Sequence, residues 1–191
     1  YDGNILTAMF DGAGISSEAS PSVQQVTGLG TLGSPLTSQS GDNLVNIMLK
    51  MARALDDQSV PEENRWFVAA PAFYETLFGA GAKFAEVQVT GDGTSPLRNG
   101  LVMQGNIAGF ACYKSTAMNA AGTDTVDVTG LGAGEFPILA GHMSACATAS
   151  HIAKTEVVRS TETFSDIVRG LHVFGRKVLR PESLVRSVIT L

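Results

Sequence analysis

Charge is sparse in this chain. Charged residues fill 16% of its 191 positions, acids outnumber bases 18 to 13, and the formal net charge is −5. No basic face is available to displace phosphate counterions, which excludes a dedicated nucleic-acid binder. Cysteine is scarcer still. Cys112 and Cys146 are the only two, and neither has the C-x-x-C or histidine pairing of a metal or redox site. Cys146, in "SACATAS", fits a small buried apolar residue. No apolar run reaches the length of a bilayer span and no signal-peptide pattern opens the chain, so no membrane partner is expected. The first residue is Tyr1 rather than Met, from which processing, or a piece of a longer product, is expected.

Catalytic groups are equally thin. The three histidines are His142, His151 and His172. With "GHMSACATASHIAK" taken as a small-residue helix, His142 and His151 lie nine positions apart and about half a turn out of phase, on opposite faces. His172 sits on a strand beside Phe174. No G-x-S-x-G elbow singles out a serine. The acidic pairs Asp56-Asp57 and Glu62-Glu63 flank a helix end, where solvation is the default over general acid–base work. "GLGTLG" (28–33) and "GLGAG" (130–134) neither link a strand to a helix nor carry the Lys-Ser/Thr of a P-loop, so flexible loop is favoured over phosphate binding. No catalytic, cofactor-binding or metal-ligating residue is assigned, no cofactor is expected, and nothing here supports an enzyme.

What the sequence does have is apolar residues, 44% of the chain, and 21 glycines. The length suffices for one good-sized core or two small ones. Low charge with many Gly, Ala, Ser and Thr suits a surface covered by neighbours, and equally a plain Gly-rich domain. Residues 1–10 look like the last turns of a helix, and 11–41 like an extended loop lying on other structure. Asp42 is a plausible N-cap for a helix to about Asp56. Leu44, Ile47, Met48, Met51 and Leu55 form one apolar stripe along it, expected to pack on the sheet carrying 66–70. Asn43, Asn46, Lys50, Arg53 and Asp57 lie mostly off that stripe. Pro61 breaks the helix; "WFVAAP" (66–71) is a buried strand and "AFYETLF" (72–78) a short helix ending at Gly79. "GLVMQGNIAGFACYKST" (100–116) reads as two strands about a turn at Gly105-Asn106, and "FPILAG" as a short strand. Residues 155–160 and 167–179 are β-rich, the latter with Gly175 at a bend or close backbone approach. Arg159, Arg169, Arg176 and Lys177 on these strands pair either within the domain or across subunits. The class is α+β.

In this order the motifs become recognisable. "ALDDQSVPEENRWFVAAPAFYETLF" resembles a signature of tailed-phage major capsid proteins: a helix ending in Leu55-Asp56, a turn with Val60-Pro61-Glu62 and Arg65, then a strand before Pro71, Tyr74 and Leu77. "GNIAGFACYKST" is similar to that family's Gly-x-Ile-x-Gly-Phe segment. "KTEVVRSTETFSDIVRGLHVFGRKVLRPESL" is similar to its C-terminal Glu-x-x-Arg through Arg-Pro-Glu-x-Leu ending, with Phe174 where Tyr is common. The likeness covers 42–191 well, 1–10 weakly and 11–41 not at all, and lies closest to coat proteins of short-tailed phages, including cyanophages.

The resemblance implies the Hong Kong 97-type capsid fold, with the N-terminal arm, extended loop and most of the spine helix preceding Tyr1. It implies a peripheral-domain part at 1–65, a mainly axial domain at 66–160, and at 161–191 a strand returning to the peripheral domain and ending on Arg180-Pro181-Glu182. The implied function is a structural shell protein that self-assembles into hexamers and pentamers of an icosahedral head, located in the virion and assembled in the host cytoplasm. Its partners would be itself, scaffolding, portal and decoration proteins, with packaged DNA held only non-specifically. A decoration or adhesin module, and more remotely a small-molecule enzyme using one of the histidines, are the alternatives. The Gly-rich loops 79–99 and 119–135 are expected to differ more between copies than the helix 42–56 or the strand 170–179.

Overall fold

The computed structural model describes residues 2–16, 24–37, 41–79, 106–119, 131–161 and 163–191. The stretches 80–105 and 120–130 lie outside these, and with them most of the two loops expected to vary between copies. The described elements are α1 (Asp2–Asp11), β1 (Ile15–Ser16), β2 (Gln24–Gln25), β3 (Leu36–Thr37), α2 (Gly41–Asp57), β4 (Arg65–Ala69), α3 (Pro71–Leu77), β5 (Asn106–Ile107), β6 (Phe110–Lys114), β7 (Glu135–His142), β8 (Cys146–Arg159), β9 (Asp166–Val178) and β10 (Leu184–Thr190).

Most strands share one mixed sheet in the order β2-β1-β10-β7-β4-β6-β5, with β3 also paired to β10. Its central strands are apolar at successive positions because both faces are covered. Phe67 and Ala69 of β4, Ile138 and Ala140 of β7, and Val185 and Ile189 of β10 point to one side. There they meet the α2 stripe of Leu44, Ile47, Met48, Met51 and Leu55 together with Phe73 and Leu77 of α3. The alternate residues Val68, Leu139, Leu184 and Val188 point to the other side, where Phe10 of α1 and Met118 close a second cluster. The expected packing of the α2 stripe is therefore found, and Asn43, Asn46, Lys50, Arg53 and Asp57 face solvent. The helix begins at Gly41, so Asp42 lies within it rather than capping it.

The turn from α2 to β4 explains why its motif has the residues it has. Ser59 and Asn64 both take positive φ, 55° and 59°, which bends the chain sharply between helix and strand. Arg65, 5% exposed, holds the bend from inside. Its guanidinium donates to the Pro61 carbonyl at 2.9 Å and to the Val60 carbonyl, and pairs with Asp56 at 2.7 Å. One cation thus satisfies two carbonyls and joins helix end to strand start. Asp56 is half exposed yet committed to this contact rather than merely solvated. We expect Arg65→Met to lower stability by about 3 kcal/mol in chemical denaturation, since both carbonyls lose their donor. A loss under 1 kcal/mol would show the clamp to be idle.

Four expectations are corrected. Residues 141–154 are not a small-residue helix: His142 ends β7, a single 3-10 turn covers Met143–Ala145, and β8 runs from Cys146 to Arg159. Small Ala, Ser and Thr residues carry no periodicity, and thirteen-pair register with β9 overrides weak local propensity. The helical phasing of His142 and His151 falls with it. The turn between β5 and β6 lies at Ala108-Gly109, both at positive φ (54° and 81°), not at Gly105-Asn106. The segment 11–41 is not loop alone. Its short strands β1 and β3 both run parallel to β10 on the same edge, covering backbone groups that would otherwise be open. Finally, Gly175 has open space around it; the irregularity in the hairpin is on β8, where a register shift falls between Ile152 and Lys154.

Candidate interaction surface

β8 and β9 leave the body as a two-stranded antiparallel hairpin, separate from the main sheet. Thirteen residues of strand give it a length of roughly 40 Å. β9 then carries the chain back toward the sheet rather than away from it. The amides of Leu179 and Arg180 both donate to the Ala145 carbonyl, at 2.8 and 3.1 Å, closing the hairpin's base. The Pro181–Ser183 turn hands the chain to β10. Gly14 packs so tightly on this turn that a Cβ would lie 2.5 Å from the Pro181 carbonyl carbon, and its amide donates to the Pro181 oxygen at 2.7 Å. Arg180-Pro181-Glu182 is the junction of hairpin, α1 end and sheet. The main sheet draws strands from all three of the segments 1–65, 66–160 and 161–191.

The described residues of the tip are tied together by hydrogen bonds. Ser160 N–H donates to the Ser165 carbonyl at 2.9 Å, and the hydroxyls of Ser160, Thr163 and Ser165 bond to one another at 2.7–3.1 Å. The Arg159 guanidinium lies 5.6 Å from the centre of the Phe164 ring, a cation–π distance. Phe164 itself is fully exposed.

Opposite residues of an antiparallel pair share a face, so the register sorts the hairpin's side chains. One face carries Val157, Val168, His172 and Phe174; the other carries Val158, Ile167, Leu171 and Val173. All of these apolar residues are substantially exposed, Val168 at 74% and Leu171 at 58%. A two-stranded ribbon wet on both faces is marginal by itself, and clustered exposed apolar area marks an association surface. The sequence signal was the loose alternation of β9, apolar at both parities, which denies it any purely polar side.

Glu156 bridges Lys154 at 2.8 Å and Arg169 at 2.6 Å on the second face. Its hydrogen bonds to Lys154 and then Arg169 lower its pKa below the ordinary carboxylate value of 4.5. A depressed carboxylate pKa contributes order above the unfolded value and loses it as pH falls through the folded one. Hairpin amides around 154–156 and 169–171 are therefore expected to keep their exchange protection down to about pH 4.5, once intrinsic rates are corrected for, and to lose it only below that. Loss of protection between pH 7 and 5 would contradict this. Arg169 thus pairs within the chain.

The remaining candidates are scattered. His142 accepts the Ser144 amide on Nδ1 at 3.1 Å, a local cap. His151 and His172 fall on opposite hairpin faces. Cys112 is buried and burial pushes its thiol pKa up; Cys146, partly buried, is raised for the same reason. Tyr74, also raised by burial, donates to the Tyr113 carbonyl at 3.0 Å. Among the described residues no three His, Cys, Asp or Glu side chains stand together as metal ligands, and no helix is long and apolar enough to cross a membrane.

The architecture has solved counterparts, although no protein-family model and no curated protein matches the sequence. A chain from Mycobacterium phage Che8 superposes with a TM-score of 0.69 at 24% identity, covering 97% of this chain and 56% of that one. A chain from the asymmetric unit of the bacteriophage PhiM1 mature capsid gives 0.62 at 16% identity, covering 100% and 60%. A chain of the cyanophage P-SCSP1u capsid gives 0.52 at 19% identity, covering 77% and 46%. The chain therefore has the α+β fold of phage capsid chains, the Hong Kong 97-type fold expected from its motifs, and it spans about half the length of these counterparts.

Proposed function

We propose that the chain belongs to a structural major capsid protein whose copies self-associate into hexamers and pentamers of an icosahedral phage head. The observation that carries this reading is the fold likeness to a mature phage capsid chain along the whole of this sequence. The exposed apolar hairpin supports it, since a shell subunit needs surface that is satisfied only by neighbours. In this reading residues 1–65 are part of the peripheral lobe, residues 66–160 form mainly the axial lobe, and residues 161–191 return to the peripheral lobe, between capsomers. Function is then association rather than turnover: no step of catalysis and no cofactor is assigned. Scaffolding, portal and decoration proteins are further partners, and enclosed double-stranded DNA is held without specific contacts. The location is the virion shell, assembled in the host cytoplasm.

Expression of the full-length protein, followed by sedimentation and electron microscopy, tests the proposal. Closed shells or capsomers are expected. A monodisperse monomer at high concentration would overturn it, and so would heads that form normally without this protein, which is the behaviour of a decoration module.

A further inference from the structure

The hairpin's two outer edges are not alike. β8 carries the register shift between Ile152 and Lys154, and a bulge of this kind is a device that discourages further strand pairing. β9 runs thirteen residues in unbroken register, without proline, and among the described residues its second edge pairs with no strand. An edge that is regular and, among the described residues, unpaired, flanked by exposed valine, leucine and phenylalanine, is a template for another strand.

We propose that this edge pairs antiparallel with β9 of a second copy, about a two-fold axis through Leu171. This rests on the self-association reading above and adds a partner strand and a register to it. Opposite residues must share a face, so a two-fold axis perpendicular to the ribbon has to pass through a residue, and every residue meets a partner of the same face. β9 contains one acid, Asp166, and three bases, Arg169, Arg176 and Lys177. Only Arg176 shares a face with Asp166, and the axis that sets them opposite each other passes through Leu171.

The rest of that register is complementary. Val168 meets Phe174 of the second copy, Leu171 meets Leu171, and Gly170 and Gly175 lie opposite His172 and Ile167. Cross-strand pairs of these types each stabilise a sheet modestly, and none sets like charges opposite one another. Among the described residues neither Asp166 nor Arg176 forms an ion pair within its own chain. Arg159, opposite Asp166 on β8, is turned to the Phe164 ring instead.

Full-length Leu171→Cys tests this, with the unsubstituted protein controlling for Cys112 and Cys146. Leu171 is exposed, so the variant keeps its fold. Directly opposed strand positions lie about 4.5–5.5 Å apart, within disulfide reach. Oxidised particles and the soluble fraction are both expected to give a dimer on a non-reducing gel, joined through the two substituted positions by peptide mapping. His172→Cys and Val173→Cys are expected to cross-link at least tenfold more slowly. In the Leu171→Cys background, Asp166→Arg should slow the link about tenfold and Asp166→Arg with Arg176→Asp should restore it. Shells that assemble normally without the link, equal linking at 172 or 173, or failure of the charge swap to restore it would overturn the pairing. Those outcomes leave the shell reading standing; absence of any assembly, with the link also absent in solution, overturns both.

Discussion

Leu55→Asp is expected to leave no folded protein. Leu55 is fully buried in the cluster that joins α2 to Phe67, Phe73 and Ile138. Removing its side chain from that packing forfeits about 2–3 kcal/mol of burial. A carboxylate put in its place is worse, because nothing in an apolar cluster can pair with it and desolvation costs several kcal/mol more. Together these reach the whole net stability of an ordinary domain, about 5–15 kcal/mol. Circular dichroism should show the helix and sheet signals lost. Leu55→Ala, which makes only a cavity, should remain folded and lose about 3 kcal/mol in denaturant titration. A folded, cooperative Leu55→Asp protein would mean that the α2 stripe is not the core contact described.

The second large effect is expected at Gly30. A Cβ there would lie 1.8 Å from the Val188 carbonyl oxygen and 2.6 Å from the Leu36 amide nitrogen, both backbone atoms that cannot move aside alone. The same approach makes two hydrogen bonds, Gly30 N–H to the Ser187 hydroxyl at 3.2 Å and Val188 N–H to the Gly30 carbonyl at 3.1 Å. Gly30→Ala must separate this loop from β10, stranding the fully buried Ser187 hydroxyl. We expect a loss of about 3–5 kcal/mol, combining steric displacement with unsatisfied polar groups. Gly33→Ala is the comparison. Its φ is +75° but nothing lies within 4 Å of a Cβ there, so about 1–2 kcal/mol is expected. Equal losses at the two positions would show that conformational freedom, not close approach, is what Gly30 supplies.

Gly30 also shows where sequence reasoning runs out. "GLGTLG" invited a choice between phosphate binding and flexible loop, and the residue does neither: it lets one backbone touch another. That reason is tertiary, and no local pattern carries it. The α2 stripe was legible because five apolar residues at helical spacing leave few alternatives, and β4 and α3 were legible because Pro71 separates them. The "VPEENR" turn was legible as a motif, whereas the buried role of Arg65 in it was not, because a lone arginine among acids looks like any solvated pair. β8 was missed for the opposite reason. Its small residues suit close helix packing and strand alike, and only pairing with β9 decides between them. The hairpin surface was half visible, in strands apolar at both parities, but exposure on both faces depends on the ribbon leaving the body.

The central claim is that this fold acts by association, with the β8–β9 hairpin between copies. The most direct measurement is a cryo-electron-microscopy map of particles assembled from the full-length protein, examined at residues 146–178. The account predicts closed shells in which Val168, Leu171 and Phe174 are buried against neighbouring copies. Shells in which the hairpin stands free in solvent, or a protein that remains monomeric, would contradict it.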